Sequence, residues 1–239
     1  MTLSEIKNGP KFFKASLCLI ATNHALRCDA KYADDDFLAL ESQIQKGEYF
    51  ELGDFLPTPF VKGIQPDNLD APTDDSVPVI NTLSIQNLAI KKSDCRHIKR
   101  DDFEALNEER RLSTGDVLLT MDGGVSIGKP TLFDLGGDFT IDSHVCILRP
   151  EGLSPLGLVY LLASTVGQKQ FRRAESGASG QTAVTEDDVR RFIFPAVLLG
   201  KLDAVAKNLE EERQAIALAR AALDQREMKI WKKLGTLVT

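Results

Sequence analysis

Apolar side chains recur with one clear period near the end of the chain. From Leu198 to Lys233 there is no proline, and the only glycine is Gly200. Leu202, Leu209, Ile216, Leu223 and Ile230 follow one another at seven-residue spacing. Val205 and Ala219 occupy the intervening seam positions, which Glu212 and Arg226 fill less well; Ala215 and Ala222 flank the stripe. A strict seven-residue repeat keeps a narrow apolar seam on one side of a helix, as a coiled coil requires. The pattern predicts one helix of about nine turns. Such a helix overhangs a domain of roughly 190 residues, which favours a partner helix over packing on its own domain.

Upstream the period changes. "ADDDFLALESQIQKG" reads as a short helix, with acid at its start, a Phe37–Leu40–Ile44 stripe and Gly47 to end it. "YFEL" is a short strand. "LPTPFVKGIQPDNLDAPTDDSVP" carries five prolines and reads as an extended loop. "VPVINTLSIQNLAI" alternates apolar and polar residues, as strands do. "GDVLLTMDGGVSIGKPTLF" predicts strand, Asp-Gly-Gly turn and strand, and "FTIDSHVCILRP" a further strand. "SPLGLVYLLASTVGQKQFRRA" opens with Ser154 as N-cap and Pro155 at the first helical position, and continues as one largely apolar helix. No βαβ alternation is present. The fold class expected is α+β: a mixed, mainly antiparallel domain over residues 1–196, followed by a long coiled-coil helix over residues 197–235.

"ESGASGQTAVTEDDVRRFIFP", Glu175 to Pro195, joins a loose element to a firm one. Thr185 is a good N-cap, with Asp188 at the return position of a capping box. Val184 and Val189 have the spacing of a hydrophobic staple. Glu186 and Asp187 suit the positive end of the helix dipole. Pro195 stops the apolar run. Ser176–Thr182 then reads as a Gly/Ser loop clamped at its far end, either a plain connection or a ligand-facing loop.

The net charge of −6 does not suggest nucleic acid as a partner, but its distribution does more. Asp29–Asp75 holds 12 acidic and 3 basic residues, a net of −9, which leaves +3 on the rest. Two basic clusters stand out: Asn87–Arg100, with Lys91, Lys92, Arg96, Lys99 and Arg100, and Gln168–Arg173, with Arg172 and Arg173. Each is a solvated face or a phosphate contact. Cys18, Cys28, Cys95 and Cys146 show no disulfide spacing, which fits a reduced, cytoplasmic protein. No signal-peptide core or membrane-length apolar run is present.

Several chemistries arise and fail. Gly123, Gly128 and Lys129 satisfy part of a phosphate-binding loop, but Pro130 stands where Ser or Thr must hold magnesium. Cys95 with His97 and Cys146 with His144 have a one-residue gap that is atypical of structural zinc, so no metal site is expected. There is no G-x-S-x-G elbow, no H-E-x-x-H and no nuclease or amino-methyltransferase motif. The sequence carries no enzyme signature and no cofactor motif.

The order of the remaining motifs resembles one target-recognition domain plus one conserved helix of the specificity (S) subunit of type I restriction–modification systems. The matching positions are Gly115–Asp116, the Gly-rich hairpin Gly123–Gly128, Arg149–Pro150 after an apolar strand, and Ser164 near the middle of a helix. Gly177–Gln181 and Pro195 before the long helix complete the series. "LRCDAKY" (Leu26–Tyr32) is similar to the opening of some members. The resemblance covers residues 26–235 and lies in the order of motifs, each weak alone. Two features depart from the family. "PAVLLGKLD" stands where Pro-x-x-Glu-Gln is common, and one domain with one helix is half of a typical S subunit.

The resemblance implies a non-catalytic DNA-recognition subunit that directs an adenine methyltransferase, and a nuclease where one is present. Its partners would be double-stranded DNA, a methyltransferase (M) subunit, a restriction (R) subunit, and a second copy paired through Leu202, Leu209, Ile216, Leu223 and Ile230. Candidate DNA contacts are Lys91, Lys92, Arg96, Lys99, Arg100, Lys129, Arg172, Arg173, Ser179, Gln181 and Thr182. The Lys and Arg side chains would meet phosphate, and Gln181 would meet a base. The alternative is a protein–protein adaptor or inhibitor on the same scaffold that reads no DNA.

Overall fold

The computed structural model describes residues 32, 34–178 and 181–235. They fall into two units, divided after Leu198. The first is mixed α and β with mainly antiparallel strands; the second is one long helix.

Helix α1 (Asp35–Gln45) begins in the acidic run, where the Asp34 carboxylate accepts from the Asp36 N–H at 3.0 Å. Strand β1 (Tyr49–Glu51) follows. The proline-rich stretch is irregular apart from the two-residue strand β2 (Val61–Lys62). Strand β3 (Ser76–Ile80) leads into a small hairpin of β4 (Ile85–Gln86) and β5 (Ala89–Ile90), then β6 (Arg96–Lys99) and the short helix α2 (Arg100–Glu104).

The predicted hairpin forms from β7 (Val117–Thr120) and β8 (Pro130–Leu132). The apolar segment after it makes two strands rather than one, β9 (Thr140–Ile141) and β10 (Val145–Leu148). One sheet runs β2-β10-β7-β8 and is antiparallel throughout; another runs β6-β3-β9, with β3 and β9 parallel. Every residue of β7 and β10 is buried, so these strands lack a polar face. Ile80, Ile85, Leu118, Phe133, Ile141 and Ile147 belong to one core cluster. Burial of each contributes about 1.5–3 kcal/mol.

Two family-like motif positions meet at the ends of these strands. Gly115, at φ 99°, turns the chain so that Asp116 enters the core. Arg149, just past β10, grips that carboxylate with two bonds, Nε to Oδ1 at 2.8 Å and Nη2 to Oδ2 at 3.0 Å. The Ser113 N–H donates a third at 3.0 Å. The Asp116 hydrogen bond pushes the Arg149 pKa above its ordinary value.

The segment expected as one helix is two. Helix α3 (Pro155–Ala163) ends and α4 (Thr165–Ala174) begins at Ser164, whose extended backbone breaks the helix. The Ser164 hydroxyl accepts from the Gly167 N–H at 3.1 Å and donates to the Leu161 carbonyl at 2.6 Å. A Cβ on Gly167 would lie 2.4 Å from the Leu162 carbonyl oxygen, so only glycine permits this corner.

The Gly/Ser stretch is also a correction. It is not an open loop but an antiparallel hairpin, β11 (Ser176–Ala178) with β12 (Gln181–Ala183). Helix α5 (Glu186–Arg190) carries the expected capping box: Asp188 N–H to Thr185 Oγ1 and Thr185 N–H to Asp188 Oδ2, each at 3.1 Å. Val184 and Val189 are both buried, as a staple requires. Strand β13 (Ile193–Pro195) then pairs with β1.

Helix α6 (Leu202–Gly235) makes up the second unit and has 34 residues, about 50 Å of length. Arg213 pairs with Glu210 at 2.6 Å on its surface. Leu202 is buried; Val205, Leu209, Ile216, Leu223 and Ile230 are exposed by 46–57%. No helix among the described residues is long and apolar enough to cross a membrane.

Replacing Arg149 by Ala leaves the buried Asp116 carboxylate with one backbone donor, and removing one partner of such a pair is costly. The expected loss is about 2 kcal/mol of stability, read from the midpoint of urea unfolding.

Candidate nucleic-acid interface

The connection between β7 and β8 is nine residues long, 121–129, and is built on glycine. Gly123, Gly124 and Gly128 have φ of 100°, 60° and 75°, a region that other residues reach at a cost. Between them Gly124–Ser126 forms one 3-10 turn. Thr120 fastens both ends of this loop. Its hydroxyl donates to the Ser126 carbonyl and accepts from the Lys129 N–H at 2.9 Å. The Gly128 N–H reaches the Thr120 carbonyl, also at 2.9 Å. This is a loop between antiparallel strands, so the G-x-x-x-x-G-K match lacks the helix that a phosphate-binding loop needs.

Two other elements lock the loop from outside. On one side lies α4: a Cβ on Gly128 would stand 2.7 Å from the Phe171 ring, and Gln168 Nε2 donates to the Gly128 carbonyl at 2.7 Å. On the other side lies β12. The Gly123 N–H donates to the Thr182 carbonyl at 3.3 Å and the Val184 N–H to the Met121 carbonyl at 2.9 Å. Asp122 bridges to Ala183 and its carboxylate binds His144 Nδ1. An open groove remains between loop and helix, bordered by Gly124, Val125, Ile127, Phe171, Arg172 and Glu175. In the sequence Gln168 and Phe171 stand only as members of a charged run; the long-range packing of Gly128 on α4 is what pairs them with the loop.

The candidate contacts divide around this loop. Arg172 is exposed at the groove. Lys129 is half-buried at the loop's end, with Nζ 3.4 Å from Ser126 Oγ. Thr182 sits on β12, its hydroxyl donating to Glu175. The backbone of Gln181 pairs with Ala178 in the same hairpin, and Ser179 lies outside the described residues. Arg96 is exposed on β6 and acts on Asp142, two residues from His144. Asp142 is itself buried, and burial raises its carboxyl pKa.

Other cations are held by acids elsewhere. Arg173 pairs with Glu41 at 2.6 Å and lies over the Tyr32 ring, so it ties α4 to α1. Arg100 binds Asp138 and Asp75, and Lys91 binds Asp94 at 3.0 Å. Lys92 lies 5.6 Å from the centre of the Phe139 ring, and Lys99 is exposed at the end of β6. The acidic stretch 29–75 thus takes one guanidinium from each basic cluster. A separate cavity of about 220 Å³ lies beside Arg173; in its lining Gln170 bonds to Ile193 and Asp188 to Thr185.

The two Cys–His pairs have unrelated surroundings. Burial pushes the Cys146 thiol up to about 12 and raises the half-buried Cys95 thiol as well. His97 Nδ1 lies 3.0 Å from Ser76 Oγ. Among the described residues no group of three or more His, Cys, Asp or Glu is placed to hold a metal ion.

No protein-family model matches the chain, and no curated protein matches it. Solved structures similar to it include a chain of a type I R-M system, at TM-score 0.47 and 15% identity over 80% of this chain and 47% of that one. A type I restriction-modification S subunit from M. genitalium aligns at TM-score 0.48 and 13% identity, over 70% of this chain and 39% of that one. The HsdS subunit from Thermoanaerobacter tengcongensis aligns at 0.46 and 17%, over 78% and 46%. The chain spans less than half the length of each of these structures.

Gly128→Ala forces a methyl group into Phe171 at a positive φ. It is expected to destabilise the fold by about 1–3 kcal/mol and shift the Thr182 amide resonance, read by denaturation and NMR.

Proposed function

We propose that this chain is a DNA-sequence-recognition subunit of a type I, or type I-like, restriction–modification system. The observation that carries the reading is the use made of the family-like motifs. Gly123–Gly128 and Gly177–Gln181 lie in two neighbouring elements, joined through the Gly123 N–H and the Thr182 carbonyl. Ser164 starts the helix that holds Gly128, and the Asp116–Arg149 pair fixes the strand that leads into the loop. Motifs scattered between positions 116 and 181 of the sequence thus support one exposed, rigid surface edged by Arg172, Lys129 and Arg96. Rigid polar loops beside cations suit a reader that sets register on phosphates and meets base edges between them. The chemistry is left to other subunits: an adenine methyltransferase, joined by a nuclease subunit in a complete system.

The second copy follows from α6. Four of the five heptad residues are exposed, and a solitary helix with such a stripe gains by covering it. Pairing two α6 helices antiparallel relates two identical domains by a twofold axis. The DNA site is then an interrupted palindrome.

Two measurements test this reading. The full chain is used to enrich a random duplex library; an inverted repeat with a fixed spacer is expected, and Arg172→Ala reduces the salt slope of binding by about one unit. An unselected pool with no salt-dependent binding instead favours the adaptor reading. Ile216→Asp with Leu223→Asp is expected to give a monomer by analytical ultracentrifugation, where the parent chain sediments as a dimer.

A further inference from the structure

Two large aliphatic side chains stand out from this surface with no role in folding it. Val125, at the tip of loop 121–129, is 98% exposed. Leu83, in the turn after β3, is 67% exposed. Each sits on a turn whose geometry is over-determined. The Val125 turn is closed by Ser126 N–H to the Gly123 carbonyl and Ile127 N–H to the Gly124 carbonyl, inside the Thr120 clamp and against Phe171. The Leu83 turn is organised by the buried Asn81. Its Oδ1 accepts from the Leu83 N–H at 2.8 Å and the Ser84 N–H at 3.1 Å, and its Nδ2 donates to the Asp94 carbonyl at 3.1 Å. Ser84 Oγ closes the same ring on the Asn81 carbonyl at 2.8 Å. The two turns are neighbours, since Thr82 Cγ2 lies 4.0 Å from the Cβ position of Gly123.

Such an arrangement has a chemical meaning. A mobile loop can hide an apolar tip; these turns cannot, because their backbone bonds fix the side chains outward. The cations Arg172 and Lys129 flank the Val125 turn on the α4 and β8 sides. On a double helix, the apolar group available to a side chain in the major groove is the thymine C5-methyl. A rigid branched aliphatic between phosphate-binding cations is built to meet it. We propose that Val125, with Leu83 beside it, is a specificity-determining contact that reads thymine methyl groups in the target duplex. This rests on the DNA-recognition reading above and adds residues that carry no charge and no hydrogen-bonding group.

The test pairs a protein change with a DNA change. The site enriched by the full chain is synthesised with each thymine replaced in turn by deoxyuridine, which removes the methyl group alone. Binding is measured for the full-length parent, Val125→Ala and Leu83→Ala, with thermal unfolding as a check that each variant folds. At one or more positions the parent is expected to lose about three- to tenfold in affinity on uracil substitution. Val125→Ala should lose a similar factor on the thymine duplex and little further on the uracil duplex. A parent insensitive to uracil at every position overturns the inference, as do Val125→Ala and Leu83→Ala variants that bind the thymine duplex as tightly as the parent. Losses that multiply independently also overturn it. In each of these cases sequence-selective binding by the parent leaves the broader reading intact. Failure of the parent to select any sequence overturns both.

Discussion

Gly128 rests against the Phe171 ring so closely that no other residue fits there without displacing the ring. That contact sets the direction in which the β7–β8 loop leaves the core, because its two feet are already fixed by Thr120. From it follows the placement of the turn at Gly124–Ser126 and the groove beside Arg172. Phe171 in turn stacks edge-on against Phe192, with centroids 4.8 Å apart, so the loop is referred to the packing between α4 and the segment entering β13. For the recognition role proposed, such backing matters: entropy that would be lost on binding has already been lost on folding.

The same economy runs through the polar groups. Asp116, Asp142 and Asp188 are buried carboxylates, and each has backbone or side-chain donors. They lock turns at the ends of β7, β9 and α5. Acids on the surface do another job, drawing Arg100 and Arg173 into ion pairs. The more exposed Arg100–Asp138 pair adds little stability, whereas the Arg173 side chain is largely buried. The effect of the pairs is to hold these two guanidiniums in place, whereas Arg172 stays exposed at the groove. Arg172 and Arg173, adjacent in sequence, end up with different tasks because helical geometry turns one toward the groove and the other toward Glu41.

Local signals in the sequence were reliable where the partner was local. The Thr185 capping box, the helix opening in the acidic run, the β7–β8 hairpin and the long α6 helix each depend on residues near one another in sequence, and each forms. What the sequence hid depends on distant partners. Ser164 breaks a helix that propensity would continue, because Gly167 must pass close to the Leu162 carbonyl. Ser176–Ala183 reads as loose until β12 finds Met121 and Gly123, some 60 residues away, to bond with. Asp116 and Arg149 read as unrelated motif fragments until the sheet brings them together. The candidate site was legible as a list of charges, not as a surface. The charge pattern could not separate Arg172 from Arg173, nor mark Val125 and Leu83, whose meaning lies in their exposure.

On the function proposed, this domain confers sequence specificity on a modification enzyme. The most direct measurement is genome-wide mapping of methylated adenine in cells carrying the methyltransferase subunit with and without this chain. One interrupted palindromic motif is expected, methylated only when the chain is present and lost when Gly128 is replaced by a bulky residue. A methylation pattern that does not change when the chain is removed contradicts it.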